Sequence, residues 1–256
     1  MTLWTAYLVF AVLPPLSAPL QSVTLAAACR APIVSTANLE QLMPVLSAPL
    51  LPALPADAVR QMDTQPQRPA RYGRVTVVAS VSTGMLRPVL SWTSSARGSS
   101  ILHELVHIAQ RRLSGRELRP LLDQLGRFDA DTGFSAYSVA GATNSTLVSL
   151  RKSLPEREAK VLAWRLTRAL ARAPGSGARA LEVRLRILRT EISKPRWGKV
   201  RDELQSTRPS RLGWASGFAG EPWTWVDELT AKMLFEAMAY DADARCSDGL
   251  GPRFLI

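Results

Sequence analysis

The chain has 256 residues, of which 46% are hydrophobic and 21% are charged. These proportions are close to those of folded globular proteins, so they exclude a wholly disordered chain, and the length favours one domain with an insertion. The formal net charge of +11 indicates attraction to polyanions.

The N-terminal segment has the features of a targeting sequence. The first 28 residues contain no charged side chain, and an apolar run extends from Leu3 to Leu13. The run is too short to span a bilayer but suits the apolar core of a secretory signal, with the alanines at 26–28 as a cleavage site. We therefore predict a signal peptide at 1–28 and an exported protein, either periplasmic or secreted. A buried N-terminal helix or a membrane anchor is the alternative.

The chain has two cysteines, Cys29 at the predicted mature N-terminus and Cys246 near the C-terminus. In an exported protein such a pair is expected to form a disulfide. Two other interpretations stay open. Cys29 could carry a lipid anchor, or the two residues could be unrelated buried thiols.

The first half of the mature chain combines a proline-rich segment with a hairpin and a helix. Residues 29–70 are rich in proline and are expected to form a wrapping arm with short helices near 38–46 and 56–62. Residues 74–82 predict a strand that returns at 87–93, and Pro88 indicates that the return strand lies at a sheet edge. A helix is expected from Ser99 or Ser100 to about Arg112.

The second half is predicted to be mainly helical. Residues 126–149 are rich in Gly, Ser, Thr and Ala and are expected to form a long loop or irregular strands. Helices are predicted at 153–173, at 178–193, where an alternating strand pattern competes, and at 222–245. The sequence therefore predicts an α+β fold that is mainly helical, with a small antiparallel hairpin or sheet before the helix at 99–112.

Both histidines of the chain fall in the pattern His103-Glu104-Leu-Val-His107. On a helix, His103 and His107 lie one turn apart on the same face and can direct imidazole nitrogens at one metal ion. Glu104 is adjacent and can deprotonate a water molecule held by that ion. Chance produces this arrangement on the order of 3 times in 10,000. An ordinary core helix is the competing interpretation, but burial of these polar groups is costly unless they are paired or bind a metal.

A catalytic metal ion needs a third protein ligand and an open position for water. Glu236 interrupts an apolar stripe in the last predicted helix, so we expect it to be that ligand. Asp227 and Glu228 are the alternatives, although acidic residues are favoured in a first helical turn in any case.

Tyr240 follows Glu236 by one helical turn and could stabilise an oxyanion; an ordinary half-buried tyrosine is an equal alternative. Asp241 or Asp243 could orient a ligand histidine or could be surface acids.

These segments resemble the zincin metallopeptidases, and within them the gluzincin branch, whose third ligand is a glutamate from a later helix. The resemblance implies a zincin-like core at 71–150 that contains the HExxH helix, and a C-terminal helix at 213–256 that completes the site. It also implies that an extended substrate pairs with the strand before the metal helix, here Arg87 to Thr93. The separation of His107 from Glu236 is long for a compact gluzincin.

The excess positive charge is confined to one segment. Residues 151–211 contain 17 Lys and Arg against 6 Asp and Glu, so this segment accounts for the whole net charge. We interpret 151–212 as a basic helical insertion that could bind an anionic envelope polymer or lipid, and export would disfavour nucleic acid. The competing interpretation is that these arginines only keep the exposed helix surfaces soluble and bind no partner.

Together these features predict an exported zinc-dependent peptidase. Zn²⁺ held by His103, His107 and Glu236 would act with Glu104 as general base on a peptide or protein substrate. Manganese or cobalt could replace zinc in vitro. The alternative is an envelope-associated polyanion- or membrane-binding protein whose metal site is structural or degenerate.

Overall fold

The computed structural model describes residues 23–51, 53–54, 56–68, 70–72, 75–77, 79–82, 88–110, 133–153, 157–173, 179–200, 202 and 225–252. Most of the described residues are helical, and a small mixed sheet precedes the helix that carries both histidines. The α+β class is therefore confirmed. Residues 1–22 of the predicted signal peptide lie outside the described part of the chain. Its last residues belong to a helix at Leu25–Arg30 in which Ala28 is buried, so cleavage after Ala28 would remove most of that helix.

The described α-helices are α1 (Leu25–Arg30), α2 (Thr36–Ser47), α3 (Ala56–Arg60), α4 (Gly98–Gln110), α5 (Ala136–Ser153), α6 (Arg157–Ala171), α7 (Ala180–Ile192) and α8 (Trp225–Cys246). Six of the eight described α-helices correspond to predicted ones, and α1 and α5 were not predicted. The helical interpretation of 178–193 is confirmed by α7. Among the described residues, no helix is both long and apolar enough to cross a bilayer.

The main sheet has three strands in the order β1, β5, β4, namely β1 (Asp63–Pro66), β5 (Val89–Trp92) and β4 (Ala79–Ser82). β4 and β5 pair antiparallel, which confirms the predicted hairpin, and β1 pairs parallel to β5. The strand expected at 74–82 is divided, because β3 (Val75–Val77) pairs instead with β2 (Ala70–Tyr72) in a separate two-stranded sheet.

The prediction that the return strand lies at an edge is wrong, because β5 is the central strand of the three. Pro88 does not prevent this, since it precedes β5 and its missing N–H is not needed in the ladder. Its carbonyl instead accepts a hydrogen bond from the N–H of Asp63, at 3.0 Å, where β1 begins.

The proline-rich segment is not a peripheral arm. Ile33, Leu39, Leu46, Leu50 and Leu54 are each at most 1% exposed, and they belong to the same apolar cluster as the buried face of α4. Burial of a leucine or isoleucine side chain stabilises a fold by about 1.5–3 kcal/mol. The segment therefore contributes to the core around the metal helix.

The two cysteines form the predicted disulfide, which joins α1 to the last residue of α8 with 5.6 Å between the Cα atoms. The backbone of α1 also packs against the start of α4. A Cβ atom at Gly98 would lie 2.0 Å from the carbonyl oxygen of Ala28, so only glycine permits this close approach. α1 thus contacts the beginning of α4 and is covalently bonded to the end of α8.

α8 connects two apolar clusters. Its first half, with Met233, Leu234 and Phe235, belongs to one apolar cluster with residues of α5, α6 and α7. Its second half, with Ala239 and Ala242, packs with α4 and the N-terminal helices. The change from one cluster to the other falls between Met238 and Ala239, within one helical turn of Glu236.

The loop expected at 126–149 is contradicted over 136–149, where α5 forms; residues 126–132 lie outside the described part. One face of α5 is buried, with Val139, Ala142, Thr146 and Leu150 at helical spacing. Thr143 donates its hydroxyl to the carbonyl of Val139 at 2.7 Å, so part of its polarity is satisfied within the helix. Packing against α8 overrides the weak helix propensity of Ser, Thr and Gly.

Candidate metal centre

α4 carries the two histidines into the interior of the protein. Ile101, Leu102 and Leu105 are fully buried on this helix, which explains why its sequence is apolar nearly all round. His107 is buried and His103 is largely buried. Such burial requires that each imidazole have partners.

Three ligand atoms converge between α4 and α8. Nε2 of His107 lies 3.2 Å from Nε2 of His103, and Oε2 of Glu236 lies 3.7 Å and 3.9 Å from these two nitrogens, respectively. Tetrahedral zinc with ligand distances of about 2.0–2.1 Å places its ligand atoms about 3.3 Å apart. The three side chains could therefore hold a metal ion after a small contraction around it.

The ring of His107 is oriented by Gln110 of its own helix, and the ring of His103 by the backbone of α8. Nδ1 of His107 lies 2.9 Å from Oε1 of Gln110, whose Nε2 donates to the carbonyl of Phe235 at 3.2 Å. A donor at Nδ1 leaves the lone pair of Nε2 free for a metal. The imidazole of His103 hydrogen-bonds the backbone of Ala239. Both contacts orient the ligand nitrogens toward Glu236.

Glu236 is held by a buried lysine one turn earlier in α8. Nζ of Lys232 donates to Oε1 at 2.9 Å, so the two carboxylate oxygens have different partners and Oε2 is the one that faces the imidazoles. Burial alone would raise the pKa of Glu236, but the charges of Lys232 and His107 hold that pKa well below its usual range. The carboxylate is therefore ionised and ready to bind a cation.

The two imidazoles differ in their affinity for protons. Burial, together with the neighbouring His107, lowers the pKa of His103 to about 4. Burial is the largest single influence on His107 and opposes its protonation, but the charge and hydrogen bonding of Glu236, together with the charge of Glu104, raise the pKa of His107 overall. In the absence of metal, the proton that enters this cluster resides on His107.

Glu104 lies beside the cluster and next to the sheet. Its carboxylate accepts a hydrogen bond from the backbone of Val81 in β4. Burial raises the pKa of Glu104 and the charge of Glu236 adds to this, so they prevail over the opposing effect of His107. A carboxylate with a raised pKa is a better proton acceptor, as general-base catalysis requires.

Tyr240 borders the cluster on α8. Its ring lies 4.6 Å from that of His103, nearly edge-on, and 5.6 Å from the ring of Tyr137. It can occupy this position because Gly141 of α5 has no side chain, since a Cβ there would lie 2.7 Å from three atoms of the ring. Burial and nearby carboxylates raise the pKa of Tyr240, so its hydroxyl is protonated and can donate a hydrogen bond.

The other predicted acids do not join the cluster of ligands. Asp243 accepts a hydrogen bond from the hydroxyl of Tyr137 at 2.7 Å and affects His103 only through its charge. Asp241 lies 3.9 Å from the guanidinium of Arg245. The side chains of Asp227 and Glu228 lie outside the described part of the structure.

Sequence analysis missed three supporting residues, namely Gln110, Lys232 and Gly141. The signal was present for two of them, because a polar residue three positions after His107 and a lysine one turn before Glu236 both interrupt apolar helix faces. The need for Gly141 depends on how α5 packs on α8, which no local pattern reveals.

Comparison with known proteins adds no family to these observations. No protein-family model matches the sequence, and no curated protein or solved structure matches it significantly. The candidate metal centre is therefore defined by its own geometry.

Proposed function

We propose that this protein is an exported zinc-dependent peptidase of zincin type, with His103, His107 and Glu236 as ligands and Glu104 as general base. The observation that carries the proposal is the convergence of two imidazole nitrogens and one carboxylate oxygen beside a second carboxylate of raised pKa. A structural metal site requires converging ligand atoms but does not require a neighbouring carboxylate of raised pKa.

The donor set favours zinc. Two imidazoles and one carboxylate suit Zn²⁺ and leave its fourth position open, which is typical of catalytic zinc sites. Calcium and magnesium prefer oxygen ligands and would be held poorly here. When bound, zinc lowers the pKa of a coordinated water to about 7 and polarises a carbonyl group.

Glu104 and Tyr240 supply the proposed proton transfer and charge stabilisation. Glu104 accepts a proton from the attacking water and passes it to the departing amine. The Tyr240 hydroxyl donates a hydrogen bond to the oxygen that becomes negatively charged on the substrate. The hydrogen bond from Val81 holds the Glu104 carboxylate in place for its role.

The arrangement of the sheet supports an extended peptide as substrate. In the described sheet β5 is flanked on both sides, whereas β4 has a neighbour only on the β5 side. The Val81 backbone that contacts Glu104 belongs to β4. A peptide that pairs with the outer edge of β4 would therefore run next to the general base, and this replaces the expectation that 87–93 receives the substrate.

The test separates metal binding from catalysis. Wild-type protein, Glu104→Gln, His107→Ala and the exposed control Glu40→Gln are compared for zinc content and for hydrolysis of casein and of a random peptide mixture. We expect Glu104→Gln to retain zinc and lose turnover, His107→Ala to lose both, and Glu40→Gln to match wild type. Turnover that survives Glu104→Gln would overturn the mechanism. Stoichiometric zinc without hydrolysis of any peptide would favour a binding protein with a structural site.

A further inference from the structure

The outward face of α6 exposes apolar side chains that the core does not use. Trp164 is 56% exposed and Val161 is 41% exposed, while the opposite face of the helix, with Leu162, Leu166 and Leu170, is fully buried. Val161 and Trp164 are three residues apart and therefore neighbours on the helix surface, so they form an exposed apolar pair on a helix whose core-facing side is already complete.

Cations surround these two side chains. The exposed basic residues of this face are Arg157, Lys160, Arg165 and Arg168, with Arg172 directly after the helix. Glu158 is the one acidic residue of α6. At helical spacing Arg157, Val161, Trp164 and Arg168 form a single line along the helix. The guanidinium of Arg168 lies 5.4 Å from the centre of the Trp164 ring.

The rest of the basic segment differs, because several of its cations are already neutralised. Arg186 pairs with Glu182, and Lys194 and Arg196 both pair with Glu191. Within the described residues, none of the five cations on the α6 face forms an ion pair. Among the described residues, the α6 face therefore groups several cations that have no ion-pair partner.

We propose that the outward face of α6 binds the surface of an anionic phospholipid bilayer. Lysine and arginine side chains near such a surface are attracted to it, and tryptophan prefers the interface between headgroups and acyl chains. Val161 supports this choice, because an aliphatic side chain gains from burial at that interface but offers a nucleic-acid base neither a stacking ring nor a hydrogen bond. The face is the convex side of a helix, whereas single-strand binding proteins usually enclose the strand in a basic groove. This surface does not depend on the metal centre.

The test uses two triple variants with the same change of charge. One removes cations from the α6 face (Arg157→Gln, Arg165→Gln, Arg168→Gln), and the other removes paired cations elsewhere in the basic segment (Arg186→Gln, Lys194→Gln, Arg196→Gln). Binding is measured by co-sedimentation with vesicles of phosphatidylcholine alone and of phosphatidylcholine with phosphatidylglycerol. Thermal melting verifies that each variant is folded.

We expect wild type to bind only the vesicles with phosphatidylglycerol, with an affinity that falls as salt rises. The α6 triple should bind about 100-fold more weakly, and the control triple should lose much less. Trp164→Ala should weaken vesicle binding and leave the binding of a single-stranded oligonucleotide unchanged. Equal losses in both triples, no wild-type binding to anionic vesicles, or tighter binding to the oligonucleotide than to the vesicles would overturn the proposal.

Discussion

Replacement of Lys232 by methionine tests whether Lys232 neutralises the buried charge of Glu236 in the metal-free protein. The Nζ–Oε1 distance is 2.9 Å, and the two side chains are only 9% and 7% exposed. At an effective dielectric constant of about 20, charges at this distance attract by about 6 kcal/mol. Desolvation offsets part of this attraction, and loss of one partner of a buried pair typically costs about 3–5 kcal/mol. We expect Lys232→Met to lower the free energy of unfolding of the metal-free protein by that amount.

The same substitution should affect the zinc-loaded protein less. A divalent cation beside Oε2 of Glu236 would replace Lys232 as counter-charge, and removal of the lysine also removes its repulsion of the metal. By thermodynamic linkage, the difference between the two losses of stability equals a gain in metal-binding free energy. Lys232→Met should therefore bind zinc more tightly than wild type although its metal-free form is less stable.

The assay combines urea denaturation of metal-free and zinc-saturated protein with zinc titration against a chromophoric chelator. Lys160→Met, which removes an exposed lysine of α6, is the matched control and should change neither quantity appreciably. Equal destabilisation of the two forms, or weaker zinc binding by Lys232→Met, would refute the reasoning that lysine and metal share one carboxylate.

Four further predictions follow from neighbouring contacts. Gln110→Met removes the hydrogen bond to Nδ1 of His107 and should weaken zinc binding about 10- to 100-fold in the same titration; unchanged affinity would contradict the orienting role. Gly141→Ala should destabilise the protein by about 1–3 kcal/mol because of the clash with Tyr240. Helix propensity alone predicts the opposite, about 1 kcal/mol of stabilisation. A lower melting temperature of the variant would support the clash, and a higher one would contradict it. The disulfide joins cysteines 217 residues apart in the sequence. Its reduction should lower the free energy of unfolding, measured by urea denaturation, by about 2–5 kcal/mol. A decrease below about 1 kcal/mol would argue against a stabilising role for this disulfide. The proton and the metal compete for His107, and the pKa of this residue is raised. Zinc affinity measured by calorimetric titration should therefore begin to fall on acidification at a pH above the ordinary imidazole range. An onset at lower pH would contradict this prediction.

The elements that local patterns predicted are those whose signal lies within one helix. The spacing of His103 and His107 fixes their common face whatever the surrounding fold, and Glu236 is conspicuous because it is a carboxylate on an apolar stripe. The structure brings these three residues together. That they meet depends on how α8 packs against α4, which the sequence alone did not determine.

The elements that were mispredicted depend on tertiary packing. Helix α5 has the composition of a loop, and it is stabilised by the face that it buries against α8. Strand β5 is central because β1, which precedes it in the chain, pairs with it in parallel. Pro88 does not prevent this pairing because it lies before the strand. The proline-rich segment entered the core because its leucines recur at helical spacing in α2, a helix that contains Pro44.

The most direct test of the central claim is the zinc content of purified protein by elemental analysis, together with its melting temperature before and after chelator treatment. The proposal predicts stoichiometric zinc in wild type, a lower melting temperature after its removal, and no zinc in His107→Ala. Wild-type protein that contains no metal and melts at the same temperature with added zinc or chelator would contradict it.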